Sequence, residues 1–193
     1  LIEYFKDQLD FADLCLCSEN LSPTTGLQAQ LPILFAEYRF TNQKDIENYL
    51  SLLSQIKDYF AQICEFQKLK ADKNSFISDF CCEGIINQCR EFINIKDINE
   101  HLLCTTFKSR IEQADFLNSE EKAGYIQKNV DAVQNSVIPA YQLLIDTLSD
   151  LKKKGYLLLR YREGLRGYVL GKKGKNYLCL LYTSPSPRDS TSS

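Results

Sequence analysis

Apolar residues recur every three or four positions along most of residues 1–150, which is the spacing of one face of an α-helix. The longest stripe runs over residues 41–71, and Thr41 or Asn42 can cap its start. Its apolar members are Ile46, Tyr49, Leu50, Leu53, Ile56, Tyr59, Phe60, Ile63 and Phe66. The pattern predicts a helix of about eight turns that buries this stripe.

Three further stripes predict three further helices downstream. Ser78 can cap a shorter helix that ends near Asn94. A run over residues 98–117 follows, and Ser119 then opens a long helix that reaches Leu151. The core-facing residues are Cys82, Ile85, Ile86, Cys89, Phe92, Ile93, Leu102, Leu103, Phe107, Ile111, Ala114, Ile126, Val130, Val133, Val137, Tyr141, Leu144 and Leu148.

Two residues interrupt these stripes. Gly84 weakens its helix by ~1 kcal/mol relative to Ala. Pro139 removes one backbone hydrogen bond and crowds the preceding turn, so we expect a kink or a break near residues 134–138.

The residues before Ser18 form another candidate amphipathic helix, with apolar positions at Ile2, Phe5, Leu9, Ala12 and Cys15. Together the stripes predict an all-α array or bundle of about five mostly long antiparallel helices.

The segment 21–40 does not follow this spacing. Residues 22–26, Ser-Pro-Thr-Thr-Gly, have turn chemistry, and Pro32 suits the first turn of a helix. Residues 33–35, Ile-Leu-Phe, are too apolar for a solvated loop. We therefore expect an irregular buried segment near 21–40.

Three blocks of the sequence resemble one bacterial protein family. They are LSPTTGLQAQLPILFAEYRF at 21–40, DIENYLSLLSQIKDYF at 45–60 and SVIPAYQLLIDTLSDLK at 136–152. The family is designated domain of unknown function eight-eight-five, and the resemblance covers about residues 1–152. It implies a predominantly helical fold in which this segment is the N-terminal part of a larger domain. Since the sequence contains no Met at all, it looks like a piece of a longer reading frame.

The resemblance also implies an enzyme class. The family is similar to zinc metallopeptidases of the thermolysin-like clan, in which a His-Glu-x-x-x-x-His or His-Glu-x-x-His-like helix and a later Glu bind the metal. The single histidine here, His101, is followed by Leu102 and Leu103, so that motif is not in this sequence. We therefore expect a truncated N-terminal region of a zinc-metallopeptidase-like hydrolase, inactive alone, with no catalytic, cofactor-binding or metal-binding residues.

The partners implied by the resemblance belong to the full-length protein. They are zinc, a peptide substrate and the missing C-terminal half of the same chain, against which residues 1–152 would form one wall of a substrate cleft. The alternative is a stand-alone helical binding or scaffolding domain, because helical stripes specify packing and leave function open.

Histidine and cysteine side chains are explained more simply by structure than by chemistry. At a helix start beside Glu100, His101 is typical of a surface or capping histidine. Cys82 and Cys89 lie two turns apart in an apolar stripe, where Cys behaves as a small hydrophobic residue. No Cys-x-x-Cys motif occurs, so the pattern does not favour a zinc or redox site.

The carboxylate pairs are explained in the same way. Glu120 and Glu121 lie at a predicted helix start, where the helix dipole favours negative charge. Glu112 and Asp115 suit a solvated face better than general acid–base catalysis.

Charge divides the chain into two unlike parts. Residues 1–150 contain 13 Lys and Arg against 23 Asp and Glu, whereas residues 151–193 contain 10 against 2. A basic tail can bind nucleic acid, but residues 179–189, CLLYTSPSPRD, resemble the translation of a sequencing-library transposon adapter. We therefore expect 179–193 to be an adapter-derived disordered tail and expect no nucleic-acid partner.

Residues 153–178 are doubtful for a related reason. Their higher content of Gly, Lys and Arg is consistent with a frameshift near Lys152. The alternative is a basic strand pair over residues 156–162 and 168–171.

Localisation is left open by the sequence. No apolar stretch approaches the ~20 residues of a membrane span, so no transmembrane segment is expected. The family resemblance favours an exported or lipid-anchored protein, whereas many reduced cysteines favour a reducing environment. The cysteines concerned are Cys15, Cys17, Cys64, Cys81, Cys82, Cys89 and Cys104.

Overall fold

A computed structural model of the protein describes residues 16, 18–73, 75–153, 159–161 and 168–170. The helices are α1 (Leu27–Glu37), α2 (Gln43–Asp72), α3 (Asp79–Ile93), α4 (Leu102–Glu112), α5 (Ser119–Ala132) and α6 (Ile138–Lys153). A 3₁₀ turn, Ile98–Glu100, precedes α4, and a π-helical segment, Val133–Val137, joins α5 to α6. Because α5, the π segment and α6 are continuous, the described residues form five helices. The predicted all-α bundle is confirmed.

Two three-residue strands follow the bundle. β1 (Leu159–Tyr161) pairs with β2 (Tyr168–Leu170) in an antiparallel ladder. They lie within residues 156–162 and 168–171, where the sequence analysis gave a strand pair as the alternative to a frameshift. The predicted amphipathic segment before Ser18 and the adapter-like residues 179–193 lie outside the described residues, apart from residue 16.

Local capping sets the ends of α2 and α3 as the sequence predicted. The Asn42 side chain accepts a hydrogen bond from the Asp45 backbone N–H (3.1 Å), and the Asp45 carboxylate accepts one from the Asn42 N–H (3.3 Å). This reciprocal pair is a capping box. Ser78 caps α3 by accepting from the Cys81 N–H (3.3 Å), and Asn94 is the C-cap that follows the last helical residue, Ile93.

The core lies where α6 packs against both α2 and α3. The buried ring of Tyr141 on α6 contacts Phe60 of α2 and Phe92 of α3, with ring centroids 4.8 and 4.6 Å away. Helix α4 packs against α5 and α1. The helices therefore share one continuous core, most of which comes from the predicted stripes.

The interruption predicted near residues 134–138 is confirmed, and it is a π-helical turn rather than a break. The Ile138 N–H donates to the Val133 carbonyl oxygen, five residues earlier. Pro139 has no N–H to continue the α-helical pattern at this point. The Ser136 hydroxyl also donates to the Ser54 carbonyl oxygen of α2 (2.9 Å), which ties the π segment to the core.

The prediction of an irregular segment over 21–40 is wrong for its central part, which is helix α1. Pro32 is the sixth residue of α1 and not in its first turn. The carbonyl oxygen of Gln28, which Pro32 cannot pair, instead accepts a hydrogen bond from Tyr141 (2.7 Å). A long-range contact thus supports a helix that local propensity disfavours.

The prediction of a single helical run over 98–117 is also wrong. His101 is the N-cap of α4, and its extended backbone separates the 3₁₀ turn from the helix. Its Nδ1 accepts a hydrogen bond from the Leu103 N–H (3.1 Å), which fixes the start of α4 at Leu102.

Two residues of the predicted apolar stripes are exposed instead, and so are Ile33 and Leu34 of the segment that was expected to be buried. Leu102 is 46% exposed, at the start of α4. Tyr59 of α2 is also 46% exposed.

Candidate functional site

An apolar groove of about 590 Å³ runs between α1 and α2 and is the clearest candidate site in the described residues. Its apolar walls are Leu31, Leu34, Tyr38, Leu52, Ile56 and Tyr59. Three exposed polar residues of α2, Gln55, Asp58 and Gln62, also line it. We call these residues, together with Phe35, the α1–α2 groove.

The groove leaves large apolar side chains in contact with solvent. Leu34 is 60% exposed and its neighbour Ile33 is 54% exposed, while Leu52 is 48% exposed on α2. Scattered apolar residues are normal on a protein surface, but clustered ones mark interaction surfaces. These residues are clustered, because Leu34, Leu52 and Tyr59 line one cavity.

Aromatic packing holds the C-terminal end of α1 against α2 and α4. The Tyr49 ring meets Phe35 and Tyr38 edge-on, with centroids 5.2 and 5.5 Å away. Phe107 of α4 lies on the Tyr49 ring at 5.2 Å, and Arg110 donates to the Tyr38 carbonyl oxygen (2.7 Å). This end of the groove is therefore preformed.

A polar clamp fixes the N-terminal end of α1 to α3. The buried Gln28 side chain donates to Gln88 Oε1 (3.1 Å) and to the Ser22 carbonyl oxygen (2.5 Å), and Gln88 donates to the Pro23 carbonyl oxygen. Gly26 makes this turn possible, because a Cβ there would lie 2.1 Å from the Ser22 backbone nitrogen. Both ends of α1 are thus anchored.

A second cavity of about 720 Å³ lies between α3 and α6, and most of the residues that line it are polar or charged. Its charged residues are of both signs and include Glu83, Arg90, Asp146 and Lys153. Lys152 already pairs with Glu83 at 3.2 Å. Because charges of both signs line this cavity, they do not indicate whether a ligand would be an anion or a cation.

His101 is fully buried as well as capping, so the surface position considered from the sequence is wrong. Burial lowers its pKa from 6.5 to about 4, and the ring is therefore neutral at physiological pH. Because Nδ1 accepts from Leu103, the proton of the neutral ring lies on Nε2, which has no hydrogen-bond partner. Its ring packs edge-on against Phe92 at 4.7 Å. The residue caps a helix and fills the core.

The buried cysteines act as small apolar residues, as the sequence predicted. Cys82 and Cys89 lie in the core face of α3, and burial raises their pKa to about 11 and about 12. Burial likewise raises the pKa of Cys104 to about 11. Such thiols stay protonated at neutral pH and are poor nucleophiles.

The carboxylates singled out from the sequence have structural surroundings. Glu121 accepts from the Asn118 N–H (2.9 Å) in the capping box of α5, and Glu120 lies in the same first turn. Glu112 and Asp115 are exposed. Among the described residues, no group of three or more His, Cys, Asp or Glu side chains could hold a metal ion.

The groove was missed from the sequence for two reasons: Tyr59 was assigned to the buried stripe, and α1 was not recognised as a helix. One signal in the sequence indicates the groove. Apolar residues lie on all sides of α1, which is typical of a helix that is covered on every face, so any face left open on α1 is an apolar surface.

The sequence matches the family described as "Bacterial protein of unknown function (DUF885)" over residues 1–166. The chain belongs to this family. The structure described as that of "the putative lipoprotein from Colwellia psychrerythraea" shares the fold of this DUF885 chain, with a TM-score of 0.66 and 24% sequence identity. The likeness covers 69% of this chain but only 23% of the Colwellia chain. No curated protein matches the sequence.

The described part of this DUF885 chain contains no helix long and apolar enough to cross a membrane.

Proposed function

We propose that this chain is the N-terminal helical part of a longer DUF885 protein with zinc-metallopeptidase-like hydrolase activity. In this proposal the bundle forms one wall of the substrate cleft and supplies no catalytic group. The observation that carries the proposal is the α1–α2 groove, an apolar surface that the described residues leave uncovered.

The groove supports the proposal because α1 is only half covered. Phe35 and Pro32 point into the core and are buried, whereas Ile33 and Leu34 are exposed. A helix that is apolar on all sides is stable in water when the remaining face is also covered. The Colwellia structure is long enough to supply such a cover, since this chain spans only 23% of it.

The described residues do not fit a zinc site. His101 is their one histidine, and its Nδ1 is occupied by the Leu103 N–H inside the core. Zinc ligands in a hydrolase of this family would therefore come from the rest of the full-length protein. The contribution of this chain is to exclude water and to support the cleft.

The test is to express the full-length gene product and measure zinc-dependent hydrolysis of a mixed peptide library by mass spectrometry. We expect hydrolysis that a chelator abolishes and zinc restores, and none from the 193-residue chain in the same assay. A zinc-loaded full-length protein that hydrolyses no peptide, or a 193-residue chain that is active alone, would contradict the proposal.

The alternative of a stand-alone binding or scaffolding domain makes a different prediction. Such a domain would be monodisperse, would melt cooperatively and would not bind a hydrophobic dye. Added zinc should not raise its melting temperature under either proposal.

We also propose that the full-length protein is exported or lipid-anchored, which the lipoprotein description of the Colwellia protein supports. The test is metabolic labelling of the full-length protein with a fatty acid in its source bacterium. Unlabelled protein confined to the cytoplasmic fraction would contradict this localisation.

A further inference from the structure

We infer that the α1–α2 groove receives an amphipathic helix from the downstream part of the full-length chain. The inference rests on the proposed function, because it requires this bundle to belong to a longer protein. It goes further by naming the partner and its secondary structure.

The walls of the groove favour a helix over an extended peptide. Both walls are helices, whose interior backbone N–H and C=O groups already pair within each helix, except for the Gln28 carbonyl oxygen, which accepts from Tyr141. An extended peptide binds by adding a strand to unpaired backbone groups, which helical walls do not offer. A helix needs only side-chain contacts, and these walls provide them.

The spacing of the exposed residues matches the seat of a third helix. Leu52 and Tyr59 are seven positions apart, so they lie two turns apart on the same side of α2, with Ile56 between them. Helices pack by placing such rows between the side chains of a neighbour. The docking helix should carry large apolar residues at spacings of three, four and seven.

The greater length of the Colwellia protein favours an occupant from the same chain. The matched part is 23% of the Colwellia chain, so most of that longer protein lies outside the matched region and can supply a covering helix. Asp58 is the one charged residue that lines the groove, and it is exposed. We therefore expect Lys or Arg beside the apolar face of the docking helix.

The decisive experiment places a photo-crosslinking residue in the groove of the full-length protein. p-Benzoylphenylalanine replaces Tyr59, which is similar in shape and already exposed. The matched control carries the same residue in place of Phe80, which is 84% exposed on α3 and does not line the groove. After irradiation, crosslinked peptides are identified by mass spectrometry.

We expect the Tyr59 position to crosslink within the same molecule, to a downstream segment with amphipathic helical spacing, and the Phe80 position not to crosslink there. Crosslinks between two copies, crosslinks to a separate polypeptide, or no crosslink would overturn the inference. If the full-length protein hydrolyses peptides but this crosslink is absent, only the docking inference is wrong. If the crosslink forms but no peptide is hydrolysed, only the proposed enzymatic activity is wrong.

A second measurement uses the 193-residue chain itself. We expect it to enhance the fluorescence of 8-anilinonaphthalene-1-sulfonate, and the variant Leu34→Asp/Leu52→Asp to lower that enhancement at least ~twofold. Leu143→Asp is the control, because Leu143 is 37% exposed on α6 and does not line the groove. Equal loss in both variants, or no loss in either, would overturn the groove as the apolar docking surface.

Discussion

The Tyr141 hydroxyl donates a 2.7 Å hydrogen bond to the carbonyl oxygen of Gln28, the acceptor that Pro32 leaves without an N–H inside α1. Burial raises the pKa of Tyr141 far above its ordinary value, so the hydroxyl remains a donor throughout the physiological range. The bond joins residues 113 positions apart and connects the proline-containing helix to the core of the bundle.

Replacing Tyr141 by Phe tests this relationship. The change leaves the Gln28 carbonyl oxygen without this donor, and we expect the free energy of unfolding to fall by ~1–3 kcal/mol. In a Pro32→Ala background the restored N–H can pair with Gln28, so the same change should cost less. Urea unfolding of the four proteins in a double-mutant cycle measures the coupling. Tyr59→Phe, which removes an exposed hydroxyl, is the control, and equal costs in both backgrounds would contradict the interpretation.

Gly26 and Gly124 form a matched pair for testing the clamp at the start of α1. A Cβ at Gly26 would lie 2.1 Å from the Ser22 backbone nitrogen, whereas a Cβ at Gly124 would meet nothing within 4 Å. We expect Gly26→Ala to lower the melting temperature because backbone atoms must move. Gly124→Ala should stabilise α5 by ~1 kcal/mol through helix propensity. Similar effects of both substitutions would show that the turn does not constrain α1.

The pH dependence of stability provides a third prediction. His101 has a folded-state pKa of about 4 against an ordinary value of 6.5, so between these values the unfolded chain binds a proton that the folded chain does not. The contribution of His101 to the free energy of unfolding is therefore fully present above pH 6.5. This contribution falls by about 3 kcal/mol in total as the pH falls toward 4.

His101→Asn is the variant that isolates this effect. Asn retains a side-chain acceptor for the N-cap of α4 but does not titrate. We expect the variant to be less stable than the natural protein at pH 7, since it loses the ring packed on Phe92, and its stability to fall less between pH 7 and pH 4.5. Guanidinium unfolding at several pH values tests this, and parallel curves for both proteins would rule out His101 as the titrating group.

The buried cation Lys70 supports a fourth prediction. Its ammonium donates to Glu19 (2.5 Å) and to the Ser18 carbonyl oxygen (2.7 Å), and its side chain is 3% exposed. Glu19→Ala leaves this charge without its carboxylate partner, and we expect a loss of roughly 3 kcal/mol. Glu19→Ala/Lys70→Met should recover part of that loss, because no buried charge remains. Thermal melts compare the variants, and a double variant no more stable than Glu19→Ala would refute the argument.

The start of α2 and both ends of α3 could be predicted from the sequence because their determinants are local. Asn42 and Asp45 are three positions apart, and Ser78 caps a backbone N–H three residues later. Apolar spacing alone predicted most of the core, and Pro139 indicated the interruption before α6. Each signal acts within one or two helical turns, which is the range that a sequence pattern reports.

The candidate site was decided by tertiary structure. No local pattern predicts that Tyr141 pairs with Gln28 or that the bundle encloses His101, since both contacts depend on which helices meet. The α1–α2 groove arises in the same way, from anchoring α1 at both ends beside α2. The sequence by itself therefore determined the helices and most of the faces that they bury, because those depend on neighbours along the chain. Only the tertiary structure decided which apolar face stays open, because that depends on packing between distant segments.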